Sequence, residues 1–324
     1  ALAERLNAPV LTTFKAKGQL ADDHPLAAGV LGRSGTPVAS ACMGQSDLLL
    51  VFGASFANHT GISPDKPIVQ VDFDAMALGK FHPVEVPVWG EIGITASALL
   101  EQLPADLKTE DQRPQLTERR QKWRQEKQRR AERDRGQGLS SALVFAALSR
   151  QCPPDAVIAV DVGNNTYSFG RYFECRAQRI LMSGYLGSIG FAYPAAMGAW
   201  AATREDDPRF AGRPVLSVSG DGGFGQYMGE LTTAVKYGMN ITHVLLNNGE
   251  LGKISKEQRA GEWDVWVMNA DGTNLTNLTA DVGNLSSHPV WSPDGTKIAF
   301  QSDRDGDLDL WTMNPDGSDP YHLT

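Results

Sequence analysis

The stretch SVSGDGGFGQYMGELTTAVKYG, residues 217–238, sets a carboxylate into a glycine turn. Asp221 stands between Gly220 and Gly222, just after the apolar run 215–218 and just before a helix-like pattern. A buried strand feeding a helix through so tight a turn is one part of a strand–helix–strand crossover, and parallel sheets are built from such units. The turn then lies at the carboxyl edge of the sheet, where ligands bind. Backbone N–H groups at the helix start favour anions there, phosphates in particular. A lone carboxylate repels a phosphate unless a cation stands between them. Mg²⁺ suits that role, because it is hard, takes oxygen ligands, and is commonly held by one or two side chains plus substrate phosphates. The glycines let the backbone come close to the ligand.

A second oxygen ligand is expected from the end of the neighbouring strand. The segment THVLLNNGE supplies Asn248, 27 residues after Asp221 and at the exit of the next expected strand. That is the length of one helix plus one strand, so the two side chains can meet at one metal. The backbone carbonyl of Glu250 can add a third ligand where the chain turns. GDGG alone reads as a flexible turn, and NN alone is equally weak. The two together, at one-crossover spacing and both at strand exits, are specific.

The rest of the chain divides by pattern. Residues 1–104 alternate apolar strands, SDLLLVFGASF and KPIVQVDFD, with helical stretches, as doubly wound α/β domains do. Gly53, Ser55, Asn58, Asp72 and Asp74 lie near the crevice of such a sheet. No GxGxxG is present, so this part reads as a packing domain. Residues 105–138 are dense in Arg, Lys, Gln and Glu and read as a solvated linker helix, with Leu116 and Trp123 at helical spacing. Residues 139–262 return to α/β alternation. In residues 263–324 the motif WVMNADGTNLTNLT recurs as WTMNPDGSDPYHLT, with a period of 45 residues from Trp266 to Trp311. Asp-Gly turns between short strands at such a period indicate a β-propeller.

Composition narrows the partners. Hydrophobic content is 41%, charged content 21% and net charge −8, which suits a globular protein and argues against general nucleic-acid binding. No apolar run reaches the roughly 18 residues needed to span a bilayer. The three cysteines, Cys42, Cys152 and Cys175, offer no metal-ligand spacing and read as reduced thiols of a cytoplasmic protein. His243, inside an apolar strand, reads as a packed residue rather than a base. SDRDGDLDL, with Asp303, Asp305, Asp307 and Asp309, has its glycine misplaced for a calcium loop and reads as a hairpin turn.

GDG followed at this spacing by NN resembles the cofactor motif of thiamine-diphosphate-dependent enzymes. Residues 1–262 resemble the acetolactate synthase and pyruvate oxidase branch. LAERLNAPVLTTFKAKG and IVQVDFDAMALGKF are similar to its central domain, and DVGNNT, SGYLGSIGFAYPAAMGA, GDGGF and NNGELGKISKEQ to its diphosphate-binding domain. The resemblance implies that Asp221, Asn248 and the Glu250 carbonyl bind Mg²⁺. It implies that Gly163, Asn164, Gly220, Gly222 and Gly223 line the diphosphate, and that Ile189 props the cofactor into its bent form. Lys253 and Ile254 follow the metal motif and could face substrate. The implied reaction is decarboxylation or carboligation of a 2-keto acid; FAD in the central domain is left open.

In that family a further domain supplies the glutamate that activates the cofactor, and the site lies between subunits of a homo-oligomer. No motif here assigns a catalytic residue, and the expectation is a chain inactive alone. Residues 263–324 resemble TolB-like propeller repeats, usual in exported proteins, and residues 262–266 suit either parent, so the chain reads as a chimera. The alternative is a non-catalytic interaction protein whose repeats bind a partner.

Overall fold

A computed structural model describes residues 1–324 apart from 58, 134–137, 185–186, 250–264, 270–272, 275, 280–285, 306–308 and 324. Two units are distinguished, residues 1–250 and 251–324. Strands β1 (Val10–Thr12) and β2 (Ala27–Val30) pair in parallel. β3 (Leu49–Phe52), β4 (Ile68–Asp72) and β5 (Val86–Trp89) form a parallel sheet in that order. A four-stranded parallel sheet follows, built from β6 (Val157–Val160), β7 (Arg179–Met182), β8 (Val215–Gly220) and β9 (Ile241–Leu246) in the order β7-β6-β8-β9. These parallel α/β sheets are the class the sequence pattern indicates.

The order explains the sequences. β6 (VIAV) and β8 (VLSVSG) are central, covered on both faces, and read as continuous buried runs. β7 and β9 lie at the edges and mix half-buried with exposed positions. The segment RILM carries no strand in the sequence reading, which takes it as loop. It is β7, an edge strand whose exposed Arg179 and Leu181 break the apolar run. The expected single helix after Asp221 is also corrected. One helix covers Asp221–Tyr227 and a second covers Glu230–Lys236, with Gly229 at the break.

The helix Arg113–Glu132 buries only Leu116 and Trp123 of its charged surface. Those two residues pack with Leu26, Ala28, Val38 and Cys42. Arg120 donates to the carbonyls of His24 (2.7 Å) and Pro25 (3.1 Å). The helix is thus a strut against the first 45 residues. The same segment meets the second half of the unit directly. Phe14 packs edge-on against Phe169 at 6.5 Å, and Arg171 donates to the carbonyls of Gly35 (3.1 Å) and Arg33 (3.0 Å). The buried Lys17 pairs with Asp22 at 3.0 Å, and Asp22 also accepts the backbone N–H of Cys175 at 2.7 Å.

Phe169 is the centre of the main core. It stacks on Phe173 at 4.4 Å, meets Phe145 edge-on at 5.8 Å, and packs with Ile158, Val160, Leu216 and Val218. Cys152 and Cys175 belong to this cluster, and burial pushes their thiols up to about 11 and about 12 respectively. All three cysteines are buried and free.

In the second unit, β10 (Trp266–Val267) pairs antiparallel with β11 (Thr276–Asn277). β12 (Ser286–Trp291), β13 (Ile298–Ser302), β14 (Asp309–Met313) and β15 (Tyr321–His322) form an antiparallel meander. The two sheets repeat each other in register. Trp266↔Asn277 and Val267↔Thr276 correspond, 45 residues on, to Trp311↔His322 and Thr312↔Tyr321. The Asn269 N–H donates to the Thr273 carbonyl at 2.8 Å, and Asn314 donates to Ser318 at 2.9 Å. Leu278 donates to Val265, and Leu323 to Leu310, both at 2.8 Å. The described residues of the second unit thus hold one four-stranded sheet and one strand pair, and no closed propeller is formed among them. Asp307, one of the four alternating aspartates, lies outside the described residues.

Truncating Phe169 to alanine removes the ring that meets Phe14, Phe145 and Phe173 and packs in the aliphatic cluster of the central strands. Urea unfolding of Phe169→Ala is expected to show a loss of about 3–5 kcal/mol. A loss below about 1 kcal/mol would mean that the core closes around the gap.

Candidate functional site

β8 ends at Gly220 and the helix begins at Asp221 with no intervening loop. Gly220 is extended, at φ −77° and ψ 163°, so its place is set by the tight entry into the helix rather than by a left-handed angle. The last pair between β8 and β9 is Gly220↔Leu246. Asp221 and Asn248 therefore leave the carboxyl ends of adjacent strands. Asp221 is half-buried, while Gly222 and Asn248 are exposed. Both side chains offer the hard oxygen donors that Mg²⁺ takes. Glu250, Lys253 and Ile254 lie outside the described residues.

One of the glycines expected at the diphosphate, Gly223, stands against a buried carboxylate. Asp161, at the exit of β6, is 1% exposed. Its Oδ1 accepts the backbone N–H of Val162 at 2.7 Å and of Gly190 at 2.8 Å. Its Oδ2 is buried and has no hydrogen-bond partner among the described residues. A Cβ added at Gly223 would stand 2.5 Å from that oxygen and 3.3 Å from the Gly190 nitrogen. Gly223 is a glycine because a side chain there would strike Asp161. Gly163 has φ 122° and precedes the helix Asn164–Tyr172, whose exposed first residue is Asn164. The Asp161 carbonyl accepts Asn165 Nδ2 at 2.9 Å and the hydroxyl of Thr166. Ile189, half-buried, directly precedes the tethered Gly190. Gly163, Ile189 and Gly223 are thus gathered around Asp161, which the sequence reading passes over. The signal was the one used for Asp221: a carboxylate between an apolar strand and a glycine.

Burial pushes the Asp161 carboxyl up, against the backbone N–H groups of Val162, Gly190, Phe191 and Ala192, which hold it down. His243 lies one layer below. Ser217 Oγ is 2.6 Å from its Nδ1 and Ser219 Oγ 3.2 Å from its Nε2. The ring stacks on Phe224, three residues after Asp221, at 4.3 Å and meets Tyr193 edge-on at 5.3 Å. Burial lowers the His243 pKa, so the neutral ring accepts from one serine and donates to the other. It is a packed residue that satisfies two buried hydroxyls in the central strand and supports the helix that starts at Asp221.

In the first half, the crevice residues serve their own turns. Gly53 has φ 59°, and a Cβ there would lie 2.4 Å from Ile92. Asp72 Oδ1 accepts the Asp74 N–H at 3.0 Å, and Asp74 Oδ1 accepts that of Met76 at 2.9 Å. Ser55 offers its carbonyl to Thr60 Oγ1 at 2.8 Å. Asn58 lies outside the described residues. No helix among those described is long and apolar enough to cross a membrane.

Two family models match the chain. Residues 1–99 match the central domain of thiamine pyrophosphate enzymes, and residues 161–282 match their C-terminal TPP binding domain. The chain belongs to the thiamine pyrophosphate enzymes. It is 35% identical over 260 residues to YdaP of Bacillus subtilis, whose name describes a thiamine pyrophosphate-containing protein, covering 79% of this chain and 43% of that one. It is 32% identical over 264 residues to the acetolactate synthase large subunit of Corynebacterium glutamicum, covering 80% and 41%. Against the large subunit of Escherichia coli acetolactate synthase isozyme 3 it is 29% identical over 302 residues, covering 88% and 51%. The chain spans about half the length of these relatives or less. The second family match ends at residue 282. Residues 263–282 therefore lie both inside it and inside the first copy of the repeat, and the matches give no support to a TolB-like origin for that segment.

The Asp161 carboxyl ionises more readily in the unfolded chain, where its pKa is near 3.8. The folded state is favoured while the group is protonated, and that advantage is lost as pH rises through its higher folded pKa. Asp161→Asn keeps the acceptor and never ionises. Its stability relative to the parent chain, from urea midpoints, is expected to rise as pH is raised from 3.8 upward. Parallel pH curves for the two proteins would refute the assignment.

Proposed function

We propose that the turn after β8 and the end of β9 bind the diphosphate of thiamine diphosphate through Mg²⁺, in a decarboxylase or carboligase of 2-keto acids. Asp221 and Asn248 are the proposed side-chain ligands, with the Glu250 carbonyl as a third. The single observation that carries the reading is the clearance at residue 223, where a side chain would close the space between the Asp161 carboxylate and the Gly190 backbone. The kinship with acetolactate synthases supports the substrate class. When bound, thiamine diphosphate supplies the electron sink for breaking the bond to the carboxylate.

The roles of the chain's own residues follow. Asp221 and Asn248 neutralise and fix the diphosphate through the cation. Gly220, Gly222, Gly223 and Gly163, with Asn164, present backbone to it at close range. Ile189 braces the cofactor from a loop anchored by Asp161. Activation needs a glutamate that no motif in residues 1–324 supplies, and we propose that it comes from a partner domain across a subunit boundary. For residues 266–323, the repeated strand register supports reading the two sheets as propeller-type repeats.

Calorimetric titration of thiamine diphosphate with Mg²⁺ into the chain is expected to give saturable binding. Asp221→Ala should abolish it. Gly223→Ala should weaken it at least ~10-fold, about 1.4 kcal/mol. Unchanged affinity in Asp221→Ala, or no binding by the folded parent chain, would sink the assignment.

A further inference from the structure

We propose that His322 and Asp309 form a binding site for a divalent transition-metal ion, with Asp305 as the positioning residue that orients the imidazole. The site lies wholly within the second unit and does not depend on the cofactor reading.

Two of the alternating aspartates converge on a histidine from the next strand. Asp305 lies in the turn ahead of β14, Asp309 opens β14, and His322 closes β15, where it pairs with Trp311. His322 Nε2 stands 3.1 Å from Asp309 Oδ2, and Nδ1 stands 3.4 Å from Asp305 Oδ2. One donor atom from each of the three residues lies within 4.8 Å of the others. Trp311 stacks on the imidazole at 4.7 Å with the planes 14° apart, which holds the ring in its plane. Two donors bound to one ion at about 2.0–2.2 Å stand roughly 3–3.5 Å apart. Nε2 and Asp309 Oδ2 already have that spacing. Nδ1 points away from such an ion. By donating its proton to Asp305 it fixes the tautomer that leaves the Nε2 lone pair free, which is how a carboxylate orients a metal-binding histidine.

The sheet does not itself require this set. In the first copy of the repeat, 45 residues earlier, Asn277 stands in the place of His322 and Ala260 in that of Asp305, and only Asp309 has an acidic counterpart, Asp264. The first copy keeps the strand register all the same, with Trp266↔Asn277 matching Trp311↔His322. The imidazole and the carboxylate that orients it are therefore additions to the repeat, not conditions for its pairing. The three side chains are 29–40% exposed, so an ion reaches them from solvent. The donor types choose the ion. Sets of oxygen donors alone suit Mg²⁺ and Ca²⁺, whereas an imidazole with a carboxylate suits Zn²⁺ and its transition-metal neighbours. The aspartates that lack the spacing of a calcium loop thus acquire a metal chemistry from a residue outside their own turn.

The test uses Zn²⁺ as the probe and the full chain carrying Asp221→Ala, which removes a side chain proposed for the cofactor metal. The native thiols are buried and do not compete. Equilibrium dialysis is expected to show one equivalent of Zn²⁺ held at micromolar concentration and not displaced by millimolar Mg²⁺ or Ca²⁺. His322→Asn, which installs the residue of the first copy, should abolish that binding, as should Asp309→Asn. Asp305→Asn should weaken it about 10–100-fold, as loss of an orienting carboxylate does. In the unaltered chain, one equivalent of Zn²⁺ should shift the His322 Nε2 resonance far more than that of Nδ1. No binding by the Asp221→Ala chain, binding unchanged in His322→Asn, equal displacement by Ca²⁺, or an unmoved His322 ring in the unaltered chain would overturn the proposal. Failure to bind thiamine diphosphate would leave these readouts unmoved, so the two proposals fail separately.

Discussion

Asp161 accepts backbone N–H groups from its own strand exit and from the loop ahead of the helix Ala192–Ala202, and the turn after β8 passes beside it only because residue 223 has no side chain. One carboxylate therefore fixes the spacing of three segments that leave the sheet separately. An ionised group with an unsatisfied oxygen at this depth is costly. The backbone donors offset part of that cost, and the rest is a local strain accepted for the sake of the geometry. Everything proposed for the cofactor depends on that spacing, because a cradle of backbone groups has no side chains with which to adapt.

Below the cradle the same logic continues in a neutral form. β8 is buried on both faces, yet two of its six residues are serines. His243 on the neighbouring strand satisfies both of them at once, and its ring then serves as the floor for Phe224. In the two central strands, Ser217 and Ser219 are the only polar side chains, and they link β8 to the helix carrying Asp221. The aromatic cluster around Phe169 joins the sheet to the first 45 residues.

Much of this was legible in the sequence, and the reasons are specific. The run before Asp221 reads as a buried strand because β8 is central and its side chains are small or aliphatic, and the pairing of GDG with NN is visible because one crossover has a characteristic length. Leu116 and Trp123 disclose the buried stripe of a helix that is otherwise charged. The 45-residue period shows directly as repeated letters. β7 was hidden, because an edge strand with an arginine and an exposed leucine has no apolar run to betray it. Asp161 was passed over although its local pattern resembles that of Asp221, because its role rests on the N–H groups of residues 162 and 190 that reach it, and the second of these is not local. The docking of the charged helix was missed for a related reason: Arg120 binds carbonyls, and every residue has one.

The three cysteines acquire a use from their placement. Cys152 and Cys175 lie in the Phe169 cluster, and Cys42 lies where the charged helix meets the N-terminal segment. With their thiolates suppressed by burial, they are chemically silent while the fold is closed. Any opening of either contact exposes a sulfur, so the native chain carries its own clock for two distinct breathing motions. Cys42 reports the strut lifting away, and the other pair reports the core itself coming apart.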